Sequence, residues 1–249
     1  MEKETSRLAP QQIAALCAKR PVRIAEGGMV MTGPVRLTFP SLAKKAKPLT
    51  PGGAEKYQAA LLFPHGNIGP LMQALRAKVK EHYPKVSDPG VLLDPKNKNS
   101  PVKDQGLKVS TADGGLEPVR KTTLGYKTGL PYVNAKSGNA IPCYRAVAGQ
   151  WVQILPEELE KVMYGGCWVE AKLTMFPSST SANPGVALGL QGLWLLADDN
   201  SFGGGGGASA GEGGDASDVV SIEDPNSNIV PAAAARGATP TAAESVWDD

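Results

Sequence analysis

Gly166-Cys167-Trp168-Val169-Glu170-Ala171-Lys172-Leu173-Thr174-Met175-Phe176 is the most regular stretch of this 249-residue chain. Cys167, Val169, Ala171, Leu173 and Met175 form one apolar row, and Trp168, Glu170, Lys172, Thr174 and Phe176 form the other. Successive side chains of a strand point to opposite faces, so this period of two predicts a half-buried β-strand. The apolar row is assigned to a core. The mixed row faces out.

The neighbouring segments extend the pattern. Val186–Leu196 reads as a further strand, with Gly185, Gly189 and Gly192 permitting bends or bulges. In Leu130–Lys136, Tyr132, Asn134 and Lys136 oppose Val133 and Ala135. Tyr57–Phe63 is a strand too apolar to assign its faces, and Val35–Phe39 alternates with 35, 37 and 39 inward. Phe39, Phe63 and Trp194 are expected in the core.

Ile68–Tyr83 is the clearest helix, with Leu71, Leu75 and Val79 every four residues and Arg76, Lys78 and Lys80 outward. Pro10–Arg20 is a shorter one, and Pro156–Met163 reads as a short acidic helix. Pro84–Gly129 is rich in Pro, Gly and Lys and has little periodicity. The expected fold is mainly β: a small, strongly curved antiparallel barrel with one or two added helices.

Charge divides the chain. From Gly203 onward it carries eight of the 24 acids and one base, Arg236, among Gly, Ala, Ser and Pro, and it ends in Trp247-Asp248-Asp249. Residues 1–202 therefore hold 25 of the 26 bases and 16 acids, a formal +9 against −7. The expected organisation is an N-terminal extension (1–29), a folded domain (30–202) and a disordered acidic tail (203–249). A basic domain tethered to an acidic tail points to a polyanionic ligand for which the tail substitutes. Three dispersed cysteines (Cys17, Cys143, Cys167) suggest reduced thiols, and neither a signal peptide nor a long apolar run stands out, so an intracellular soluble protein is expected.

Catalysis finds little support. His65 and His82 lack metal-ligand spacing, and no phosphate-binding loop or nucleophile elbow occurs, so neither enzyme activity nor a metal or cofactor is expected. Single-stranded nucleic acid needs cations along a groove and aromatic faces for unpaired bases. Trp168, Lys172 and Phe176 alternate on one face of the best strand, and Tyr132 and Lys136 on another. Tyr126, Lys127, Tyr144, Arg145 and Trp151 lie nearby in sequence. Trp168 and Phe176 fit a second reading equally well, as cover for a small core beneath the N-terminal helix.

The run from Glu157-Glu158-Leu159 to Tyr164-Gly165-Gly166-Cys167-Trp168-Val169-Glu170-Ala171 resembles a signature of bacteriophage single-stranded DNA-binding proteins. The likeness continues through Pro184-Gly185-Val186-Ala187-Leu188-Gly189-Leu190-Gln191, Tyr57–Pro64 and Phe202-Gly203-Gly204, spanning roughly residues 30–205. It implies an oligonucleotide/oligosaccharide-binding (OB) fold that serves phage replication and recombination in the cytoplasm of the infected host. Departures include Glu170, where that family often has a base, and the uncharged Ser178–Pro184.

The expected contacts are stacking on Trp168, Phe176 and Tyr132, with phosphates met by Arg36, Lys108, Lys121, Lys127, Lys136, Arg145 and Lys172. Oligothymidine should then quench tryptophan emission. Trp247, Asp248 and Asp249 are expected to recruit replication or recombination proteins and to compete with DNA. The rival readings are a protein–protein adaptor with a basic core and an RNA-binding OB protein. An annealing role in recombination is compatible with the main one.

Overall fold

The apolar row of the Gly166–Phe176 strand closes the wall of a barrel. The computed structural model describes residues 6–48, 52–66, 68–97, 99–109, 116–118, 127, 129–177, 185–202 and 229–230. In chain order the elements are α1 (Pro10–Lys19), β1 (Arg23–Ile24), β2 (Val30–Ala46), β3 (Lys56–Leu62), α2 (Gly69–His82), α3 (Gly90–Leu93), β4 (Val102–Asp104), β5 (Leu107–Val109) and β6 (Leu116–Pro118). They continue with β7 (Pro131–Ser137), β8 (Cys143–Val147), β9 (Gln150–Gln153), α4 (Leu159–Val162), β10 (Trp168–Pro177), β11 (Val186–Ala197) and β12 (Ile229–Val230).

Five of the strands form a closed circuit. β2 pairs with β3, β3 with β7, β11 with β10 and β10 with β2, all antiparallel, and a parallel contact between β7 and β11 completes the ring. Counted along the chain, barrel neighbours run 1-2-3-5-4-1, an OB-fold-like arrangement. Val35, Leu37, Ala59, Leu61, Val133, Ala135, Val169, Ala171, Leu173, Leu188 and Leu190 fill the interior. Leu71, Leu75 and Val79 of α2 are fully buried in the same core, as their four-residue recurrence predicts. The alternation of β10 and β7 is observed as expected. Opposite β10 the register steps from Lys172↔Gly192 to Leu173↔Leu190, leaving Gln191 as the extra residue of a bulge beside Gly192.

β2 corrects one expectation. Phe39 is not in the core: it is 64% exposed, with a φ of 45°. Its strand pairs Thr38 with Ala60 and then Ser41 with Gln58, so β2 spends one residue more than β3 between the two pairs. That bulge breaks the alternation, and beyond it Leu42, two residues past Pro40, enters the core. Phe63 and Trp194 are buried as expected.

A second core lies outside the barrel. The later part of β11 carries β8 in parallel, and β9 completes a hairpin whose turn places Ala148 at a φ of 49°. Trp151, Trp168 and Trp194 bury against one another's surroundings with Leu16, Met31 and Leu196 beneath α1. β1 pairs with β2 and holds the N-terminal segment in place. Gly33 permits the approach, because its φ is 63° and an added Cβ would collide with the Arg20 carbonyl.

Three further segments differ from the sequence expectation. The acidic helix shrinks to the single turn α4. The aperiodic stretch holds β4 on the barrel edge and the β5–β6 hairpin. Within the tail, Ile229–Val230 pairs in parallel with Trp151 and Val152. Among the described residues no helix is long and apolar enough to cross a membrane.

Candidate nucleic-acid interface

The outward row of β10 has two halves. Trp168 and Glu170 are buried, whereas Lys172 and Thr174 are partly exposed and Phe176 is 41% exposed. The N-terminal segment makes the difference. Glu170 has no exposed surface and pairs with Arg20, at 2.9 Å, and with Arg23. The two readings open for Trp168 and Phe176 thus divide between them: Trp168 belongs to the second core, and Phe176 remains on the surface.

Arg36 is likewise turned to internal use. Its Nε donates to the Gly166 carbonyl at 2.6 Å and an Nη2–H to the Asn200 carbonyl at 3.0 Å. The guanidinium lies 3.6 Å from the Asp199 carboxylate and 4.3 Å from the centre of the Phe202 ring. Burial lowers the Arg36 pKa from its ordinary value, and the Asp199 charge opposes that shift. Asp199 also accepts from Trp168 Nε1 at 2.7 Å, from the Ser6 hydroxyl and from the Arg7 backbone N–H. Trp151 is fully buried, and its Nε1 has no hydrogen-bond partner among the described residues. As a correction, Arg36, Trp151 and Trp168 are buried: the two tryptophans lie in the second core beneath α1, and Arg36 is held by Gly166, Asp199, Asn200 and Phe202.

The open surface can be traced through strand register. Ser41 stands opposite Gln58, Gln58 opposite Lys136, Lys136 beside Gly189, and Gly189 opposite Thr174. Each alternates with a core residue and therefore points out. This row crosses all five barrel strands; Lys136 is exposed, Ser41, Gln58 and Thr174 are partly exposed, and Gly189 is buried. A Cβ on Gly189 would meet the Thr174 methyl and the Phe176 ring, so the bare backbone there lets Phe176 lie close to the sheet. Lys136 is exposed and Lys172 partly so, and neither has an ion-pair partner among the described residues.

Tyr132 is half-buried on the same outer face, opposite Lys103 of β4. Burial raises the Tyr132 pKa, against a smaller opposing effect of its hydrogen bond with Asn134, and burial lowers that of Lys103. Tyr144 stacks on Trp194, with ring centres 5.2 Å apart, at the margin of the second core. Arg145 pairs with Glu158 at 3.4 Å, and Lys127 is exposed.

Sequence reasoning missed the cations on either side of the β2–β3 connection. Lys44, Lys45, Lys47 and Lys56 are all exposed, and Lys45 Nζ lies 5.7 Å from the centre of the Tyr57 ring. Lys44 meets Glu160 at 3.4 Å, a solvent-exposed pair of little energetic weight. The clustering of Lys44, Lys45 and Lys47 was a visible signal, but it lies outside the strand alternation that guided the choice. Lys121, Tyr126, Trp247, Asp248 and Asp249 lie outside the described residues, and of Lys108 only the backbone is described.

Residues 28–220 match the family described as Enterobacter phage Enc34, ssDNA-binding protein. Among solved structures, the fold is similar to the single-stranded DNA-binding protein from bacteriophage Enc34 in complex with ssDNA. That likeness has a TM-score of 0.55 and 19% identity, covering 82% of this chain and 100% of the other. A C-terminal truncation of the Enc34 protein gives 0.52 and 20%, covering 74% and 93% respectively. No curated protein sequence matches this chain.

Proposed function

The chain belongs to the single-stranded DNA-binding protein family of Enterobacter phage Enc34, and from this premise we propose that it coats single-stranded DNA during phage replication and recombination inside the infected cell. The observation that carries the reading is the open row across the barrel. Gln58 and Lys136 lie on the second and third barrel strands, the face on which OB folds hold oligonucleotides. Phe176 and Tyr132 supply faces for stacking, and Lys136 and Lys172 supply cations that displace counterions from phosphates. Lys44, Lys45, Lys47 and Lys56 add charge beside the connection between strands one and two. Contacts of this kind recognise π-faces and charge, so binding depends strongly on salt and little on sequence.

The acidic tail is the second part of the reading. Residues 203–249 carry eight acids and one base, opposite in sign to the +9 of residues 1–202. As a coil released from the Ile229–Val230 pairing with β9, a chain of that length would span ~35–40 Å. The folded part has a radius of gyration of about 16–17 Å, so the tail reaches the open row. It competes with DNA and, once displaced, presents Trp247, Asp248 and Asp249 to replication or recombination proteins.

The test is fluorescence anisotropy with labelled oligothymidine, its RNA counterpart and a duplex of equal length, at several salt concentrations. The reading expects tight binding to the DNA single strand, weakening steadily with salt, and affinity unchanged or higher without Trp247–Asp249. Equal affinity for the duplex moves the assignment to a protein adaptor, and preference for RNA moves it to an RNA-binding protein. Weaker binding by the truncated chain refutes the competition between tail and DNA.

A further inference from the structure

Phe39 is the most exposed large apolar side chain among the described residues, and its backbone occupies a region that bulky residues rarely enter. Such conformations persist only where surrounding structure enforces them, and they gather at functional sites. The enforcing element here is the β2 bulge, and one use of bulges is to re-aim a side chain. Without the extra residue, the alternation set by Val35 and Leu37 would direct Phe39 into the barrel. With it, the side chain is 64% exposed and Leu42 takes the core position.

We propose that Phe39 is a stacking platform for a DNA base, at the opposite end of the outer row from Phe176. This deepens the single-strand-binding reading and rests on it. Ser41, which begins the row Ser41–Gln58–Lys136–Gly189–Thr174, lies two residues beyond Phe39 on the same strand. Thr174 ends the row, two residues before Phe176 on β10. Measured along the sheet at the usual ~4.8 Å between strands, the row is about 19 Å long.

Chemistry at the Phe39 end favours nucleic acid over an apolar partner. Lys44, Lys45 and Lys47 follow on the same chain segment, and all are exposed. An aromatic face beside exposed cations suits an unpaired base and its phosphates.

The experiment compares the full chain with Phe39→Ala, Phe39→Trp and Phe39→Gly for binding to labelled oligothymidine, alongside thermal unfolding and sedimentation velocity. Loss of one stacked base weakens Phe39→Ala by about 5- to 150-fold, and Phe39→Trp matches or exceeds the parent. Phe39→Gly binds as weakly as the alanine variant, yet its unfolding midpoint is unchanged or higher, because glycine takes the same φ without strain. Parent-like affinity of the folded alanine and glycine variants overturns the proposal alone. If sedimentation then shows that they have lost self-association, the ring is a contact between copies. Failure of the parent chain itself to bind oligothymidine overturns the single-strand reading and this proposal together.

Discussion

Glu170 and Lys172 are two residues apart on one face of one strand, yet one is sealed and the other open. Glu170 is sealed by arginines 150 and 147 residues earlier in the chain. Sequence alternation gave the direction of each side chain correctly but could not indicate what lies above it, since that cover comes from a distant segment. Arg36 was misassigned for the same reason, because its carboxylate and carbonyl partners come from 130 residues or more along the chain. Removing one partner of a buried ion pair strands the other charge, so Glu170→Ala should lower stability by about 3–5 kcal/mol. Urea unfolding measures this directly, and a loss below 1 kcal/mol would mean that Arg20 and Arg23 find water instead. Lys136→Ala and Lys172→Ala should leave stability nearly unchanged. Each should flatten the slope of log affinity against log salt by about 0.7, the value for one lost single-strand phosphate contact.

Among the elements, β10, β7 and α2 were legible because each keeps one period over its length, and β3 and β11 because their apolar runs are long, although β11 changes core parity at Gln191. β2 was only half legible: its alternation holds through Leu37, and the bulge then shifts it by one residue. The change from Ser41 to Leu42 in core parity records that shift in the sequence. The β8–β9 hairpin was missed because its strands are short and its turn, Ala148-Gly149, lacks the usual Asn-Gly signature. α1 was recognised, and a small core beneath it was one of two readings for Trp168, but the part played there by Trp151 and Trp194 emerges from the packing. Leu16 is the buried residue of that helix, so Leu16→Ala should cost about 2–5 kcal/mol. It should also red-shift tryptophan emission as water reaches Trp151, Trp168 and Trp194, and an unshifted spectrum would show that these rings are held independently of α1.

For the whole molecule, the second core changes what binding should look like. Trp151, Trp168 and Trp194 are buried, so stacking on Trp168 no longer gives reason to expect that oligothymidine quenches tryptophan emission, and the proposed contacts are at Phe176, Tyr132 and Phe39. Burial also governs the alkaline limit of the fold. It raises Cys17 from about 9 to about 11 and Cys143 to about 12, and raises Cys167 as well. Unfolded thiols ionise first, so this contribution to stability is complete below pH 9 and is lost as pH climbs toward 11–12. Lys103, lowered by burial, acts in the opposite direction but is a single group. Unfolding midpoints should therefore fall between pH 9 and 11, and a flat profile would indicate solvated thiols.

On the proposed function, single-stranded DNA lies across the outer row and avoids the tryptophan-filled core. Ultraviolet cross-linking of bromodeoxyuridine-substituted oligothymidine to the full chain, with the linked peptides mapped by mass spectrometry, tests it most directly. Links are expected on the strands carrying Tyr132 and Phe176 and on the β2 bulge at Phe39. Links concentrated at Trp151, Trp168 or Trp194 would contradict it, and would mean that the N-terminal helix lifts to admit DNA.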